Sequence, residues 1–567
     1  MSDFDVVVVG SGMSGGWVAK EMSERGYKVA VIERGQEILH GIDYKDFVDT
    51  WDLENFGEKT PQDVEDYPIQ SELYAFGPTT RQYWVKDGEY PYETPEGQDF
   101  KWRRGHHKGG RSIMWGRQSY RFSETDFEAN KKDGHGVDWP VRYDEIKPWY
   151  DHVERFAGIS GTNEGLDILP DGIFQPPFEF NCVEVELKKR IEEKYEGRRR
   201  IIPARVANLT APTQEQTDLG RGRCQARNHC DRGCSFGAYF SSNSATLPAA
   251  ERTGNCTMLY NRAVLSLEYD SGLGRAVAAN VFNSETGVNE RITFRAVFLN
   301  ASTITSAIIL LNSSSSAFPN GLANSSGQVG RNLMDHMLSG AAFGIFPGFT
   351  DMYFSGRRPS GFYIPRFRNH TEQTQEFVRG YGFQGGATRV GWNHLAQMAG
   401  MGEKFKNRLR HPGPWVAHCT GFGEILPNPN NQVRLHASKR DKDGLPVPVI
   451  DAKLGENDIK LYWQMRKDAV EILETGGCRG IGIQSSEDTV DYVFGDGIHE
   501  MGTARMGHDP ATSVLNKWNQ SHDVSNLFIT DGSFMASAGC QNPSLTYMAF
   551  SARAADHASD LLKSGAI

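Results

Sequence analysis

The N-terminal segment from Phe4 to Glu33 constrains the fold more than any other stretch of the chain. The apolar run Phe4–Val9 has the length and composition of a buried parallel strand, and it leads directly into the glycine-rich sequence GSGMSG. Helical spacing follows from Gly16 to Met22, and a second apolar strand ends at Glu33. A strand, a glycine-rich turn, a helix and a strand in this order predict a Rossmann-like dinucleotide-binding unit.

Each glycine of this turn has a physical task in holding a diphosphate. Gly10 permits the tight turn, Gly12 lets the backbone approach the ligand, and Gly15 lets the helix pack closely on the strand. The diphosphate then lies at the positive end of the helix dipole, and the carboxylate of Glu33 is placed to accept hydrogen bonds from a ribose. An ordinary tight turn would explain the glycines but not the acid at the end of the second strand. Glu33 therefore favours a dinucleotide site over an ordinary turn.

The overall composition excludes several classes of protein. The chain has 567 residues, of which 38% are hydrophobic and 23% charged, so it can form two or more globular cores. Its 61 basic and 71 acidic residues give a net charge of −10, which disfavours nucleic acid as a partner. No apolar run approaches the ~18 residues of a membrane span, and the N-terminus lacks the pattern of a signal peptide. Export would therefore require a signal carried by another subunit.

Two further segments bear on the ligand. Residues 36–100 are rich in Asp, Glu, Tyr, Trp and Pro without sustained periodicity, which predicts an insertion that acts as a lid or is an ordinary surface excursion. Residues 105–116 read GHHKGGRSIMWG, and a glycine pair in such a loop indicates close approach of the backbone to a planar ligand. A Trp-Pro pair at 139–140 then precedes a helix with an apolar face.

These features, in this order, resemble the glucose–methanol–choline (GMC) oxidoreductases. The resemblance implies fold class α/β + β, a Rossmann-like FAD-binding domain interleaved with an antiparallel-sheet substrate-binding domain. Some relatives attach the flavin covalently to a histidine at the position of Met114, so noncovalent FAD is expected here, although His106 and His107 lie close by in the sequence. The FAD-binding domain would comprise residues 1–40, 101–130, 205–335 and 497–567, and the lid and substrate domain 41–100, 131–204 and 336–496.

Three cysteines in the middle of the chain form a C-x5-C-x3-C pattern, Cys224, Cys230 and Cys234. A zinc knuckle would show C-x2-C pairs and a fourth ligand, and a disulfide would leave one thiol unpaired. Three soft thiolates in a compact loop suit a three-iron cluster. The spacing resembles the large subunits of bacterial gluconate, fructose and glucose dehydrogenases, which are GMC relatives with a [3Fe–4S] cluster. Unligated structural cysteines or another metal are the alternatives.

The C-terminal part contains the residues expected to perform the chemistry. The sequence HEMGTARMG at 499–507 is similar to one of the more specific family motifs, and GCQNPS at 539–544 precedes a final amphipathic helix. The resemblance implies His499 as a catalytic base and Asn542 as the second active-site residue. A neutral histidine can accept the hydroxyl proton of an alcohol, and Asn542 can hold the same oxygen without competing for that proton. His336, in a VGRNLMDH motif, is expected to be a buried orienting histidine.

The motifs together define the candidate ligand-binding residues. The cofactor-binding candidates are Gly10, Gly12, Ser14, Gly15, Glu33, Arg34, Gly109, Gly110, Ser112, Trp115, Gly116, Val264, Ala301, Asp531, Gly532, Asn542, Pro543 and Thr546. Alternating runs between 337 and 496 predict antiparallel strands that roof the flavin and contact the substrate. Plausible sugar ligands in this region are Gln384, Arg389, Asn393 and His394.

The resemblance implies an FAD-dependent sugar dehydrogenase, closest to bacterial glucoside 3-dehydrogenases, which oxidise the C3 hydroxyl of a pyranoside. Its expected partners are a small signal-bearing subunit and a cytochrome c-type electron acceptor, and its compartment is the periplasm by co-export, or the cytoplasm. Gluconate 2-dehydrogenase or another sugar-acid or polyol dehydrogenase is the nearest alternative, with Arg389 facing a carboxylate. An oxygen-using pyranose oxidase, a non-redox flavin lyase or inactive scaffold, and an NAD-dependent dehydrogenase are further alternatives.

Overall fold

The computed structural model describes residues 2–352, 361–391, 400–483 and 488–567. The strands are β1 Phe4–Val9, β2 Val29–Ile32, β3 Ile202–Pro203, β4 Cys256–Leu259, β5 Arg262–Asp270, β6 Arg275–Asn283, β7 Val288–Leu299, β8 His336–Phe346, β9 Phe362–Ile364, β10 Tyr381–Arg389, β11 Trp415–Glu424, β12 Gln432–Arg440, β13 Pro446–Asp451, β14 Arg479–Ile483 and β15 Leu527–Ile529. The helices are α1 Met13–Glu24, α2 Pro61–Asp66, α3 Glu124–Asp133, α4 Tyr143–Ala157, α5 Cys182–Lys194, α6 Gln214–Asp218, α7 Thr246–Arg252, α8 Thr303–Asn312, α9 Gly402–Leu409, α10 Glu456–Thr475 and α11 Ser544–Ser564. Among them, no helix combines the length and the apolar character that crossing a membrane requires.

The first sheet has seven strands and is built around β1. Strand β1 pairs in parallel with β2 and β7, β2 pairs in parallel with β4, and β15 pairs in parallel with β7. The long strand β7 also pairs antiparallel with β6, and β6 pairs antiparallel with β5. Val6 to Val9 are buried because strands of a parallel core are covered on both faces. The predicted Rossmann-like unit is therefore confirmed.

Two glycines fix how α1 leaves this sheet. Gly10 has φ +96° and a Cβ on it would overlap the carbonyl oxygen of Asn300, at the end of β7. A Cβ on Gly15 would overlap the carbonyl oxygen of Gly10 and lie 3.2 Å from a methyl group of Val8. Only glycine therefore allows this close packing of α1 on β1.

The second sheet has six antiparallel strands in the order β14-β8-β11-β10-β9-β3, as the fold class predicts. Helix α10 packs against β8 and β11, and it buries Leu461 and Met465 there. Three side chains of this sheet, Leu338 of β8, Gln384 of β10 and Phe422 of β11, face the same cavity as the end of β1. The antiparallel sheet thus covers the carboxyl ends of the parallel strands.

Candidate active site

A cavity of about 400 Å³ lies where the two sheets meet. Its walls include Val9 and Ile32, the last residues of β1 and β2, and also Asn300 and Asp531, which follow β7 and β15. Ligands of open α/β sheets bind outside the carboxyl ends of the parallel strands. The cavity therefore occupies the position that this topology provides for a nucleotide.

Most of the residues selected from the sequence line this cavity. Those on its wall are Gly10, Gly12, Ser14, Glu33, Arg34, Gly110, Ser112, Trp115, Gly116, Val264, Ala301, His499, Asp531, Gly532, Asn542 and Pro543. Met114, at the position where some relatives carry a flavin-linked histidine, and His106 are also on the wall. The structure thus brings together residues from segments that are more than 500 positions apart in the sequence.

A few selected residues lie elsewhere. Gly15 is behind the turn, against β1, and the N–H of Gly109 donates to the Ser11 hydroxyl at 2.9 Å. Thr546 turns away from the cavity, and its hydroxyl lies 2.8 Å from that of Tyr150. Arg389 donates to backbone carbonyl groups, including that of Gly413 at 2.7 Å, instead of reaching the cavity. Two further selected residues, Asn393 and His394, lie outside the described residues.

The start of α1 offers a site for an anion. Gly12 is the N-cap residue and provides no side-chain hydrogen bond to the first turn, which also contains no acidic residue. The backbone N–H groups of this turn are therefore available to a ligand, and the helix dipole favours a negative charge there. A Cβ on Gly12 would meet no protein atom within 4 Å, so the space in front of it belongs to the cavity.

Buried polar atoms on the cavity wall also call for a ligand. Asn300 Nδ2, the Tyr547 hydroxyl, His106 Nδ1 and Arg117 Nε are buried and have no hydrogen-bond partner within the described part of the chain. Buried polar groups in proteins are almost always paired, so a large ligand with many polar atoms would complete the site. These observations fit FAD, with its diphosphate, ribose and flavin.

Sequence reasoning did not select Asn300, Arg117 or Tyr547. A general signal existed for Asn300, because residues that follow a parallel strand at its carboxyl end face the ligand edge of the sheet. Tyr547 lies in the first turn of α11, directly after the selected Thr546. Sequence alone did not decide which of these neighbouring residues of the helix faces the cavity.

Glu33 stabilises the glycine turn itself. Its carboxylate accepts hydrogen bonds from the Ser11 hydroxyl at 2.5 Å, the Ser11 N–H at 3.1 Å and the Gly35 N–H at 2.9 Å. Burial raises the pKa of Glu33, whereas these hydrogen bonds lower it. The carboxylate lies on the cavity wall and has further acceptor positions, so a ribose contact is compatible with this geometry.

The hydrogen bonds of His336 define the orientation of His499. Nε2 of His336 lies 2.9 Å from the carbonyl oxygen of Gly539, so this nitrogen must carry a hydrogen. When the ring is neutral, Nδ1 of His336 is then an acceptor, and it lies 2.9 Å from Nδ1 of His499. His499, which lines the cavity, therefore donates through Nδ1, and its Nε2 carries the lone pair.

Burial favours the neutral form of both histidines. Burial lowers the pKa of His336 to about 4. Burial also lowers the pKa of His499 well below its usual value, and the neighbouring His336 and Arg111 add to this effect. A neutral imidazole with a free Nε2 is the form that can accept a proton.

Asp335 anchors the backbone that carries His499. Its carboxylate accepts hydrogen bonds from the N–H groups of His499 at 2.9 Å and Gly497 at 3.1 Å, and from the Tyr492 hydroxyl at 2.8 Å. Burial and the nearby Glu500 carboxylate raise the pKa of Asp335 to about 7, against the effect of these hydrogen bonds. Asp335 thus holds the backbone of His499, and His336 holds its ring.

The amide of Asn542 is oriented by Gln384. Nε2 of Gln384 donates to Oδ1 of Asn542 at 2.6 Å, so the carbonyl side of Asn542 is occupied. Its Nδ2 remains as a donor beside the cavity, where His499 also lies. Gln384 is a predicted sugar ligand, and the structure shows its contact with Asn542, the predicted second active-site residue.

The three clustered cysteines lie near the cavity. Burial raises the pKa of Cys224, the Ala226 N–H lowers it, and the neighbouring thiols of Cys230 and Cys234 raise it further. Cys230 also interacts with the guanidinium of Arg117, which lines the cavity. All eight cysteines are free thiols, and among the described residues no group of three or more His, Cys, Asp or Glu side chains is arranged to hold a metal ion.

Comparison with known families agrees with the fold and the cavity. The two models of the GMC oxidoreductase family match residues 4–338 and 427–551. The chain therefore belongs to the GMC oxidoreductases, an FAD-binding family that oxidises CH–OH groups of sugars and alcohols.

Individual relatives span nearly the whole chain. The fructose dehydrogenase large subunit of Gluconobacter japonicus is 27% identical over 99% of this chain and 98% of its own length. The 2-methyl-1,2-propanediol dehydrogenase of Mycolicibacterium austroafricanum is 29% identical over 98% of this chain and 95% of its own. The crystal structure of pyridoxine 4-oxidase from Mesorbium loti has the same fold, with a TM-score of 0.58 and 17% identity over 98% of both chains.

Proposed function

We propose that the protein is an FAD-dependent dehydrogenase that oxidises a secondary hydroxyl of a sugar or glycoside, with C3 of a pyranoside as the preferred position. The observation that carries this proposal is that His499, whose Nε2 carries a lone pair, lines the same cavity as the oriented amide of Asn542. One group can accept a hydroxyl proton while the other holds the hydroxyl oxygen. Similarity to a fructose dehydrogenase large subunit supports a sugar as substrate.

The residues of this chain would divide the reaction between them. The substrate hydroxyl donates to Nε2 of His499, and Nδ2 of Asn542 donates to the same oxygen, which fixes the C–H bond toward the flavin side of the cavity. His499 takes the hydroxyl proton as the carbonyl forms, and burial, which lowers the pKa of His499, favours the later release of this proton. When bound, FAD supplies the acceptor for the hydride. The uncapped N-terminus of α11, at Pro543 and Ser544, favours negative charge at the cavity.

The substrate class is tested by anaerobic mixing of the purified, FAD-loaded enzyme with methyl β-glucoside and, separately, with gluconate. We expect the glucoside to bleach the flavin absorbance and gluconate to leave it unchanged. Arg389, the cation selected for a carboxylate, is occupied by backbone carbonyl groups outside the cavity. Bleaching by gluconate alone would replace the proposal with a sugar-acid dehydrogenase, and a flavin that neither compound bleaches would contradict both.

We further propose that Cys224, Cys230 and Cys234 hold a [3Fe–4S] cluster that passes electrons from the flavin to an external acceptor. Three free thiols on one loop interact with each other, and backbone N–H groups point at two of the sulfurs, that of Ala226 at Cys224 and that of Ala238 at Cys234. Such hydrogen bonds stabilise thiolate ligands and tune cluster potentials. The cluster would lie near the flavin, because Arg117 lines the cavity and is close enough to Cys230 for the two groups to interact electrostatically.

Replacing Cys230 by Ser is expected to remove the iron without removing the flavin. Enzyme purified anaerobically should contain about three iron atoms per FAD, and C230S should retain FAD with iron near background, since one of three ligands is lost. Iron, sulfide and flavin analyses measure this directly. Cys256→Ser, at a partly buried cysteine in β4, is the matched control. Absence of iron and sulfide from the anaerobic wild-type enzyme would contradict the cluster.

We also propose that the chain works with a small signal-bearing subunit and a cytochrome c-type acceptor, and reaches the periplasm by co-export with that subunit. The name of its relative in Gluconobacter japonicus, a dehydrogenase large subunit, supports assembly with other chains. Copurification with tagged protein from the native host tests this assembly.

A further inference from the structure

The segment 36–74 exposes an unusual share of large apolar side chains. Among the described residues, seventeen such side chains are exposed, and seven of them are Leu39, Ile42, Phe47, Trp51, Phe56, Val64 and Tyr74. The aromatic members are 65% to 78% exposed. Concentrated apolar exposure of this kind marks an interaction site more often than chance. We refer to residues 36–74 as the 36–74 surface.

The same segment carries most of the net charge of the protein. It contains eleven Asp or Glu residues and two Lys residues, a net charge of −9, whereas the whole chain has −10. Asp49, Asp52 and Glu58 are exposed and form no ion pair within the described part of the chain. Six of the other acids form ion pairs with Lys or Arg residues outside the segment, so the negative potential near the exposed aromatic groups comes mainly from the unpaired carboxylates, which attract cations.

The backbone presents one of these aromatic groups at a conformational cost. Phe56 has φ 55° in the turn Glu54–Gly57, and its ring is 70% exposed. A bulky residue at positive φ is uncommon, and such strain is characteristic of functional surfaces. Packing within this chain does not account for the placement of an exposed ring in this conformation.

The 36–74 surface joins the cysteine loop directly. The Phe47 ring lies 5.6 Å from that of Phe236, two residues after Cys234, and the Arg227 guanidinium covers both rings at 4.3 and 4.8 Å. Arg227 also pairs with Asp46. At the other end of the surface, Tyr74 lines the cavity. A partner on this surface would therefore contact the loop that holds the three clustered thiols.

We propose that the 36–74 surface docks a basic, one-electron acceptor protein of the haem class, an inference that rests on electron exit through the cysteine loop as proposed above. Charge complementarity steers such a partner to the site, and the exposed rings provide the apolar centre of a small, transient interface. Oxidation of one alcohol to a carbonyl releases two electrons and two protons. Two acceptor molecules each take one electron, and the protons pass to solvent.

The charge of the surface selects against other occupants. A second copy of this chain docked on the same surface would bring the unpaired carboxylates of the two copies together, and an anionic membrane would be repelled in the same way. A positively charged protein with an exposed apolar centre gains from both properties of the surface.

The test compares D49N/D52N/E58Q with the control E193Q/E376Q/D560N, whose three residues are exposed and lie outside the 36–74 surface. Turnover with the glycoside is followed with a lysine-rich cytochrome c at low ionic strength and, in parallel, with the dye dichlorophenolindophenol. We expect the first variant to reduce the cytochrome at least about tenfold more slowly and with a weaker salt dependence. Its rate with the dye, and both rates of the control, should match the wild type.

Other results of this test would either support or overturn the docking proposal. Equal cytochrome rates in the two variants, or a wild type that reduces the dye but neither binds nor reduces the cytochrome, would overturn it. If no sugar or alcohol reduces the dye, the proposed function fails, and cytochrome binding at low salt then tests the docking proposal by itself. Binding that is lost in D49N/D52N/E58Q supports the docking proposal, and unchanged binding overturns it. Trp51→Ser should also weaken this binding, whereas a changed oligomeric state with unchanged binding would assign the surface to a second copy.

Discussion

Replacing His499 by Ala is expected to lower kcat about a thousandfold while the FAD content stays at the wild-type level, since a positioned general base contributes roughly 10²- to 10⁴-fold. His499 lines the cavity, and removal of its imidazole leaves the substrate hydroxyl without the proposed proton acceptor. The imidazole does not form the glycine turn or the start of α1, so flavin binding should survive. Dye-coupled turnover together with the flavin absorbance of the same sample measures both quantities.

His508 provides the matched control for this substitution. It follows the same C-terminal motif, but its side chain is 65% exposed and lies outside the cavity. His508→Ala should therefore retain the wild-type kcat. A His499→Ala enzyme that keeps more than about a tenth of the wild-type turnover would exclude His499 as the base, since this loss is below the range for general bases.

The pH dependence of the wild type follows from the same geometry. A base is active when neutral, and a pKa lowered well below 6.5 keeps His499 neutral as the pH falls. We therefore expect protonation of His499 to cause no fall in kcat/KM at pH 6.5, the ordinary pKa of a histidine, and to cause a fall only at lower pH. His336→Leu removes a neighbour that lowers this pKa, so the acid limb should move toward neutral pH.

The residues that could best be predicted from the sequence are those that the local backbone geometry or the chemistry of the reaction requires. The Rossmann-like turn could be predicted because Gly10 and Gly15 are each required by a close backbone approach that no other residue allows. His499 and Asn542 could be selected because alcohol oxidation needs a base and an oxygen ligand, and the family motifs gave their positions. These residues lie on one cavity, as the resemblance implied, whereas their catalytic roles stay predictions.

Orientation was less predictable than position. Thr546 and Tyr547 are adjacent on α11, and only the packing of Tyr150 against the Thr546 hydroxyl shows which of them faces the cavity. Arg389 has the right chemistry for a carboxylate, but its hydrogen bonds to loop carbonyl groups depend on tertiary structure. The sequence likewise predicted His336 to be an orienting residue, but its hydrogen-bond partners Gly539 and His499 are distant in the sequence.

Gly12→Val is expected to weaken FAD binding at least about a hundredfold in a protein that still folds, since the diphosphate needs close approach of the backbone at this glycine. Gly12 has φ −67°, which any residue can adopt, and its added side chain would meet no protein atom within 4 Å. The isopropyl group would instead occupy the space in front of the first turn of α1. Flavin content after purification and a titration with added FAD measure the loss.

Two other glycines make this prediction specific. Gly88 also has open space around its Cβ, but it lies outside the cavity, so Gly88→Val should keep full FAD. Gly15→Val should prevent folding or strongly lower Tm, because its Cβ would overlap the carbonyl oxygen of Gly10. Full FAD content in Gly12→Val would place the diphosphate elsewhere. Loss of FAD with a fold retained by circular dichroism would show that the cavity at α1 holds it, because Gly12 contributes space to the ligand and no contact to the protein.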